Sequence, residues 1–486
     1  MQFYTFSAIE EDLILKESKD RNRRTGLKDK RVTKKPASGN HKQKQKIEWL
    51  TAVAANVSGE IFEVEGYSAM GMADALLMPL RTENTVPMPF GSELMYLPHR
   101  SPVFYNMETG IAEVVKENPY APDEPLFPVA AFNSPGYVNT YISAYRENLP
   151  EDYLPLFSYG AVGWHKDGFR SALIQVDTEP RQDLRQMQRE KVVAGVEQMR
   201  SIMPKNRLRE HLEKCALEYG CPAGKNFFLG RYEAPLPTSQ SCNARCLGCI
   251  SLQKNERIRS SQERISFTPS PSDIAEVALT HIRRVKNAVV SFGQGCEGDP
   301  LFAADAIAEA IRLIRVQTSD GTINMNTNAS KYDVLRQLFD AGLDSIRVSI
   351  NSVREPCYNA WFRPSGYDFS NVMESIDLAL GLKKFVSFNY LNCPGFTDTP
   401  EEAAAFMNFR KKHAIDFIQW RNLNFDPVKY WAAMNAVASH SPPLGMKTLL
   451  NRIRNSFPDL GFGYFNPPKE NWGNRKSETI KTMSLT

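Results

Sequence analysis

The stretch "SIRVSIN", residues 345–351, decides the fold. Ile346, Val348 and Ile350 alternate with Ser345, Arg347, Ser349 and Asn351. A period of two is that of a strand whose successive side chains leave opposite faces. The pattern recurs. Ile323 and Met325 alternate with Asn324, Asn326 and Asn328; Val386, Phe388 and Tyr390 with Ser387 and Asn389; Ile418 and Trp420 with Gln419 and Arg421. With "RYEAPLP" (231–237) and "AVVSFG" (288–293) these runs predict six strands. Helical runs separate them, at 273–285, 302–315, 331–342, 370–384 and 400–414, and another follows at 446–457. In the first, Ile274, Val277, Ala278, Ile282 and Val285 share a face, and Asp273 with Glu276 has the look of a capping box. Strand–helix alternation means parallel pairing through right-handed crossovers.

A doubly wound sheet and a barrel share that order. Most parallel strands are apolar on both faces, because helices cover both. Here one face carries Asn, Ser, Gln and Arg. Buried dry, each unpaired group would cost roughly 1–3 kcal/mol. A curled sheet with helices outside and a hydrophilic hollow inside suits both faces. The expected fold is α/β: a partial (β/α)6 TIM-like barrel over 230–435, with a β-rich amino-terminal domain.

Around that barrel we expect four further segments. Residues 1–47 form a disordered basic tail, 48–177 a β-rich domain of unknown role, 178–229 a helical connector and 436–486 a carboxyl-terminal helix and extension. In the β-rich part, "EIFEVEGYSAMGM", "SPVFYNMETGIAEVV" and "FRSALIQVD" are separated by turn signals such as "NSPG" (133–136) and "HKDG" (165–168). The chain's net charge of +4 belongs to the tail. Residues 1–46 hold 13 Lys/Arg and 6 Asp/Glu, which leaves 46 against 49 for the rest. A segment so poor in apolar residues cannot offset its ordering entropy. The tail reads as a solvated extension; RNA contact through residues 16–46 is the less favoured reading. With 42% apolar residues, no membrane-length apolar run and no secretory signal, the expectation is a cytoplasmic protein that does not engage a membrane. In that compartment its eight cysteines point to metal or redox chemistry rather than disulfides.

Three of them, Cys242, Cys246 and Cys249, stand in "SCNARCLGCIS" (241–251), directly after the first strand. A closed zinc site wants a fourth Cys or His, and the nearest downstream, His281 and Cys296, lie in or beyond the next helix. Three thiolates also suit an iron–sulfur cluster with one iron left open. Cys215 and Cys221 read as buried thiols rather than ligands of a second centre.

With "GCEGDPL" (295–301), "MNTNAS" (325–330) and "DSIRVSINS" (344–352) following in order, residues 230–430 resemble the radical S-adenosylmethionine (SAM) superfamily. The branch most like it is that of molybdenum-cofactor biosynthesis and peptide modification. The resemblance implies a [4Fe–4S] cluster on Cys242, Cys246 and Cys249, with SAM at the open iron. It implies reductive cleavage of SAM to a 5′-deoxyadenosyl radical, with a reductant such as flavodoxin or ferredoxin. Asp299 of Gly298-Asp299-Pro300 is the candidate for the SAM amino group, with Glu297 as the alternative register. Asn326, Asn328, Ser349, Asn389 and Arg421, with Arg347, are candidates for cofactor or substrate contact. Cys296 and Cys393 are candidate hydrogen-atom relays. Gly248 departs from the family, which often has an aromatic residue there. The substrate expected is a peptide, protein or small molecule. RNA modification guided by the tail and a non-enzymatic zinc-binding module are the alternatives.

Overall fold

A computed structural model describes residues 4–5, 48–166 and 168–472. Most of the predicted tail therefore lies outside the described residues; of it, Tyr4–Thr5 pair antiparallel with Glu93 and Leu94. The end of the carboxyl-terminal extension, 473–486, lies outside them too.

Seven parallel strands form the barrel sheet, side by side in chain order. They are β1 (Glu233–Pro235), β2 (Val289–Phe292), β3 (Thr322–Thr327), β4 (Ser345–Ile350), β5 (Phe385–Asn392), β6 (Phe417–Asn422) and β7 (Gly461–Gly463). The expected six are present, and the three-residue β7, too short for a periodicity signal, extends them. Ile346, Val348 and Ile350 are at most 1% exposed, as the apolar side of β4 requires. Helices cover that side.

Three helices precede the barrel: α1 (Arg189–Ile202), α2 (Arg207–Leu217) and α3 (Pro222–Phe228). The crossovers are α4 (Pro271–Arg284), α5 (Ala304–Gln317), α6 (Tyr332–Ala341), α7 (Glu355–Phe362), α8 (Phe369–Gly381), α9 (Pro400–Lys412), α10 (Pro427–Asn435) and α11 (Met446–Ser456). In α4 the apolar stripe is buried at Ile274, Val277, Ala278 and Ile282. Its start differs from the capping box read at Asp273. Ser270 is the cap, accepting from the Asp273 N–H, and Pro271 opens the first turn. Two short helices, α7 and α10, escaped the periodicity reading because each is under ten residues.

The polar side divides by height. Low in the barrel, Asn324 donates to Ser291 Oγ (3.2 Å) and Asn326 Oδ1 (2.9 Å), and accepts from Ser345 Oγ (2.9 Å). Gln419 donates to Asn466 Oδ1 (2.6 Å), and Asn466 donates to Glu233 (2.8 Å) and Ser291 (3.3 Å). This layer is buried and satisfied from within, so it is a polar core rather than a hollow. Higher up, Arg347, Ser349, Asn389 and Arg421 are only partly buried.

The amino-terminal region is antiparallel β-structure, built on an 11-stranded sheet. In it Val162–His165 pairs antiparallel with Gly168–Ser171. It docks on the carboxyl ends of β5 and β6. Asn422 Oδ1 accepts from the Asn139 N–H (2.8 Å), and Asn392 donates to Asn139 O (2.9 Å). No helix among the described residues is long and apolar enough to cross a membrane.

Candidate active site

The loop after β1 owes its shape to backbone pairing with the end of α7 and the residues just beyond it. Arg245 N–H donates to Phe362 O (2.9 Å), Leu247 N–H to Trp361 O (3.1 Å) and Ser365 N–H to Asn243 O (2.8 Å). Cys242, Cys246 and Cys249 are half-buried in this loop and line a cavity of about 1110 Å³ with Asn243, Arg264 and Phe425. Gly248 has no room for a side chain. A Cβ there would meet Trp361 Cη2 at 2.6 Å, so the space an aromatic residue would fill belongs to Trp361.

Burial pushes the Cys242 thiol up to about 12, and the neighbouring Asp299 charge adds to this. Cys246 is also pushed well above the usual thiol range, through burial and then the other two sulfurs. Thiols raised in this way ionise together only against positive charge. Arg264 supplies some: it donates to Cys249 Sγ (3.5 Å), Ser251 Oγ (3.2 Å) and Gln240 O (3.3 Å). A metal centre supplies more.

The acidic motif is laced to this loop. Gly298 N–H donates to Ser239 O (2.6 Å) and Asp299 N–H to Ser241 O (2.8 Å). A Cβ on Gly298 would fall 2.0 Å from Ser241 O, so only glycine permits the approach. Glu297 accepts five hydrogen bonds. Thr238 N, Thr238 Oγ1 and Ser239 N reach Oε2; Gly293 N and Gln294 N reach Oε1. Burial still holds its carboxyl up at about 7. Asp299 accepts from Leu301 N (3.0 Å), Thr327 Oγ1 (2.9 Å) and Asn328 N (2.7 Å). Asn328 then donates to Asn243 Oδ1 (2.8 Å) in the cysteine loop.

The candidates therefore fall into separate groups. The three loop cysteines, Asp299, Glu297, Gly298 and Asn328 form one connected unit. Asn326 joins it by donating to Gly293 O (2.8 Å). Arg421 donates to Asn389 Oδ1 (3.1 Å) and lies 3.7 Å over the Tyr464 ring. Burial, with Arg421 nearby, pushes the Arg347 guanidinium down to about 9. Ser349 is half-buried on the same side of β4. Neither relay candidate lines the cysteine cavity. Cys393 is fully buried, and Cys296 contacts His211. Arg264, Tyr464 and Asn466, on loops without periodicity, and Trp361, on the short helix α7, carried no sequence signal.

A parallel barrel with a polar interior, and with a cysteine-rich loop laced to an acidic turn at the strands' carboxyl ends, defines a class of α/β enzymes that work on a bound cofactor. More particularly, residues 236–407 match the model of the radical SAM superfamily. The solved structures similar to it include HydG, a maturase of the [FeFe]-hydrogenase (16% identity, 58% of this chain and 65% of that one, TM-score 0.34). They also include anSMEcpe with bound AdoMet (16%, 46% and 61%, 0.33). A third is the methylornithine synthase PylB (13%, 56% and 77%, 0.35). The chain thus spans under two thirds of the length of the first two. No curated protein sequence matches it.

Proposed function

We propose that this chain is a radical SAM enzyme that uses a [4Fe–4S] cluster to cleave SAM reductively and abstract hydrogen from a peptide, protein or small-molecule substrate. The observation that carries this reading is the loop after β1 itself: Cys242, Cys246 and Cys249 line one cavity, and the acidic turn is hydrogen-bonded to their loop through Gly298 and Asp299. Three thiols, with no His or fourth Cys among the described residues lining that cavity, suit a cluster with one iron left open.

When bound, the cluster supplies the electron that breaks the S–C5′ bond of SAM, leaving methionine and the 5′-deoxyadenosyl radical. The chain's residues bind and orient. Cys242, Cys246 and Cys249 would hold the cluster, and Arg264 hydrogen-bonds the Cys249 sulfur. Asp299 is the proposed acceptor for the SAM ammonium. Its carboxylate receives three protein donors, the Thr327 hydroxyl shared between both oxygens, where about four sites exist, whereas Glu297 receives five donors and has no site free. Glu297 is a fastener between the loops after β1 and β2. Arg347, Ser349, Asn389 and Arg421 are proposed contacts for SAM or substrate. A low-potential reductant such as flavodoxin or ferredoxin would deliver the electron.

The test is anaerobic reconstitution followed by a reductive SAM-cleavage assay. The wild-type chain is expected to bind about four irons and release 5′-deoxyadenosine. Cys246→Ala should abolish both. Wild-type protein that takes up zinc at this loop, or no iron, would overturn the reading.

A further inference from the structure

A second sulfur-rich group lies outside the cysteine loop. His211 and Cys215 are four residues apart on α2, so they share a helix face. Cys296 reaches them from the loop after β2, where its carbonyl accepts from Ile265 N–H (2.7 Å). His211 Nε2 is 3.4 Å from Cys296 Sγ and 3.5 Å from Cys215 Sγ. All three ligand atoms lie within 4.8 Å of one another, the one such trio of His, Cys, Asp or Glu among the described residues. Cys215 is 3% exposed and Cys296 6%. Cys221, the residue before α3, is tied to the group by its N–H, which donates to Cys215 O (2.9 Å).

Thiolate sulfur and imidazole nitrogen are the donors that zinc prefers, with bonds of about 2.0–2.3 Å and ligand atoms about 3.5–4 Å apart. The trio already stands near that spacing. Its members come from two elements 81 residues apart in sequence at their nearest, Cys215 and Cys296. No such grouping follows from helix geometry alone. We propose that His211, Cys215 and Cys296 bind one zinc-type divalent ion. This revises the reading of Cys215 as an idle thiol and of Cys296 as a hydrogen-atom relay. A buried site of this kind is structural. It would pin α2 to the turn whose next residue, Glu297, fastens the loops after β1 and β2.

The experiment uses the full-length chain, produced with added zinc, purified without oxygen and dialysed against a weak chelator. Metals are counted by mass spectrometry. The wild type is expected to keep about one zinc per chain. The variant with Cys242, Cys246 and Cys249 all changed to Ala should lose iron and keep that zinc. His211→Ala and Cys215→Ser should lower zinc at least about tenfold and keep iron. Should those variants not fold, the wild type alone still decides. Zinc must shield Cys215 and Cys296 from alkylation until a strong chelator removes it, and cobalt substitution must give a thiolate charge-transfer band. Absence of stoichiometric zinc, loss of zinc with the loop cysteines, iron on these residues, or a Cys215–Cys296 disulfide in the mapped peptides would each overturn the proposal. These readouts do not depend on SAM cleavage, so the two readings fail separately.

Discussion

Asp299 shows how one side chain serves both the fold and the site. It caps the turn Pro300–Ala303 and receives Thr327 Oγ1 and the Asn328 N–H, so it joins the loops after β2 and β3. Burial raises its carboxyl, and those donors oppose the rise. An ammonium at the remaining acceptor site would add a charge-assisted hydrogen bond, the stronger kind. Asp299→Asn is therefore expected to weaken SAM binding about tenfold, or ~1.4 kcal/mol, with iron content unchanged. Equilibrium dialysis of the reconstituted protein measures it. Unaltered affinity would return the assignment to another acceptor. The two registers at 297 and 299 were both legible from "GCEGDP", but the choice between them was not. It depends on how many backbone N–H groups each carboxylate already receives, and those come from Thr238, Ser239, Gly293 and Gln294 on separate loops.

Among the elements, the strands and most helices of the barrel were readable because each carries its own periodicity. What periodicity cannot convey is which polar residues meet. The Asn- and Ser-bearing sides were read as the wall of a hollow. The lower half is instead closed by Asn466, which reaches Ser291, Glu233 and Gln419 from beyond β7. Helix α4 carries the clearest pH consequence. His281 is fully buried on it, with Nε2 donating to Tyr232 O (3.1 Å) and Nδ1 without a partner. Burial pushes its pKa down to about 4. The folded state therefore keeps the ring neutral, while the unfolded chain takes a proton below about 6.5. The stability this confers is fully present above that value and is lost as pH falls toward 4. Between pH 7 and pH 5 the wild type should lose about 2 kcal/mol from this group alone. Urea unfolding at both values, compared with His281→Gln, measures it. The variant keeps a donor for Tyr232 and should lack that part of the slope; equal slopes would mean that the ring is not held neutral.

At the scale of the whole molecule, the β-rich region and the barrel are one packed body, which the composition of either part does not reveal. Gly395, at φ +88, lies so close to the β-region that a Cβ would stand 2.5 Å from the Asp74 nitrogen. The firmest joint is buried and charged. Arg100, 1% exposed, donates to Asp152 Oδ2 (2.9 Å) on its own side and to Asp426 Oδ2 (3.1 Å) from the barrel. Asp426 also accepts from Leu154 N (3.1 Å) and caps α10 through Val428 N (3.1 Å). Removing one member of such a pair leaves the other charged and desolvated, which costs about 3–5 kcal/mol. Asp426→Ala is expected to fall in that range. Asp426→Asn keeps the cap and most of the hydrogen bonds, and should cost roughly half as much. Denaturant titration followed by tryptophan fluorescence reads both, because Trp164 reports on the β-region and Trp431, on α10, on the barrel. In the wild type the two regions should unfold together, and in Asp426→Ala the transitions should separate. A loss below about 1 kcal/mol with the transitions still coincident would show that apolar packing alone holds the regions together.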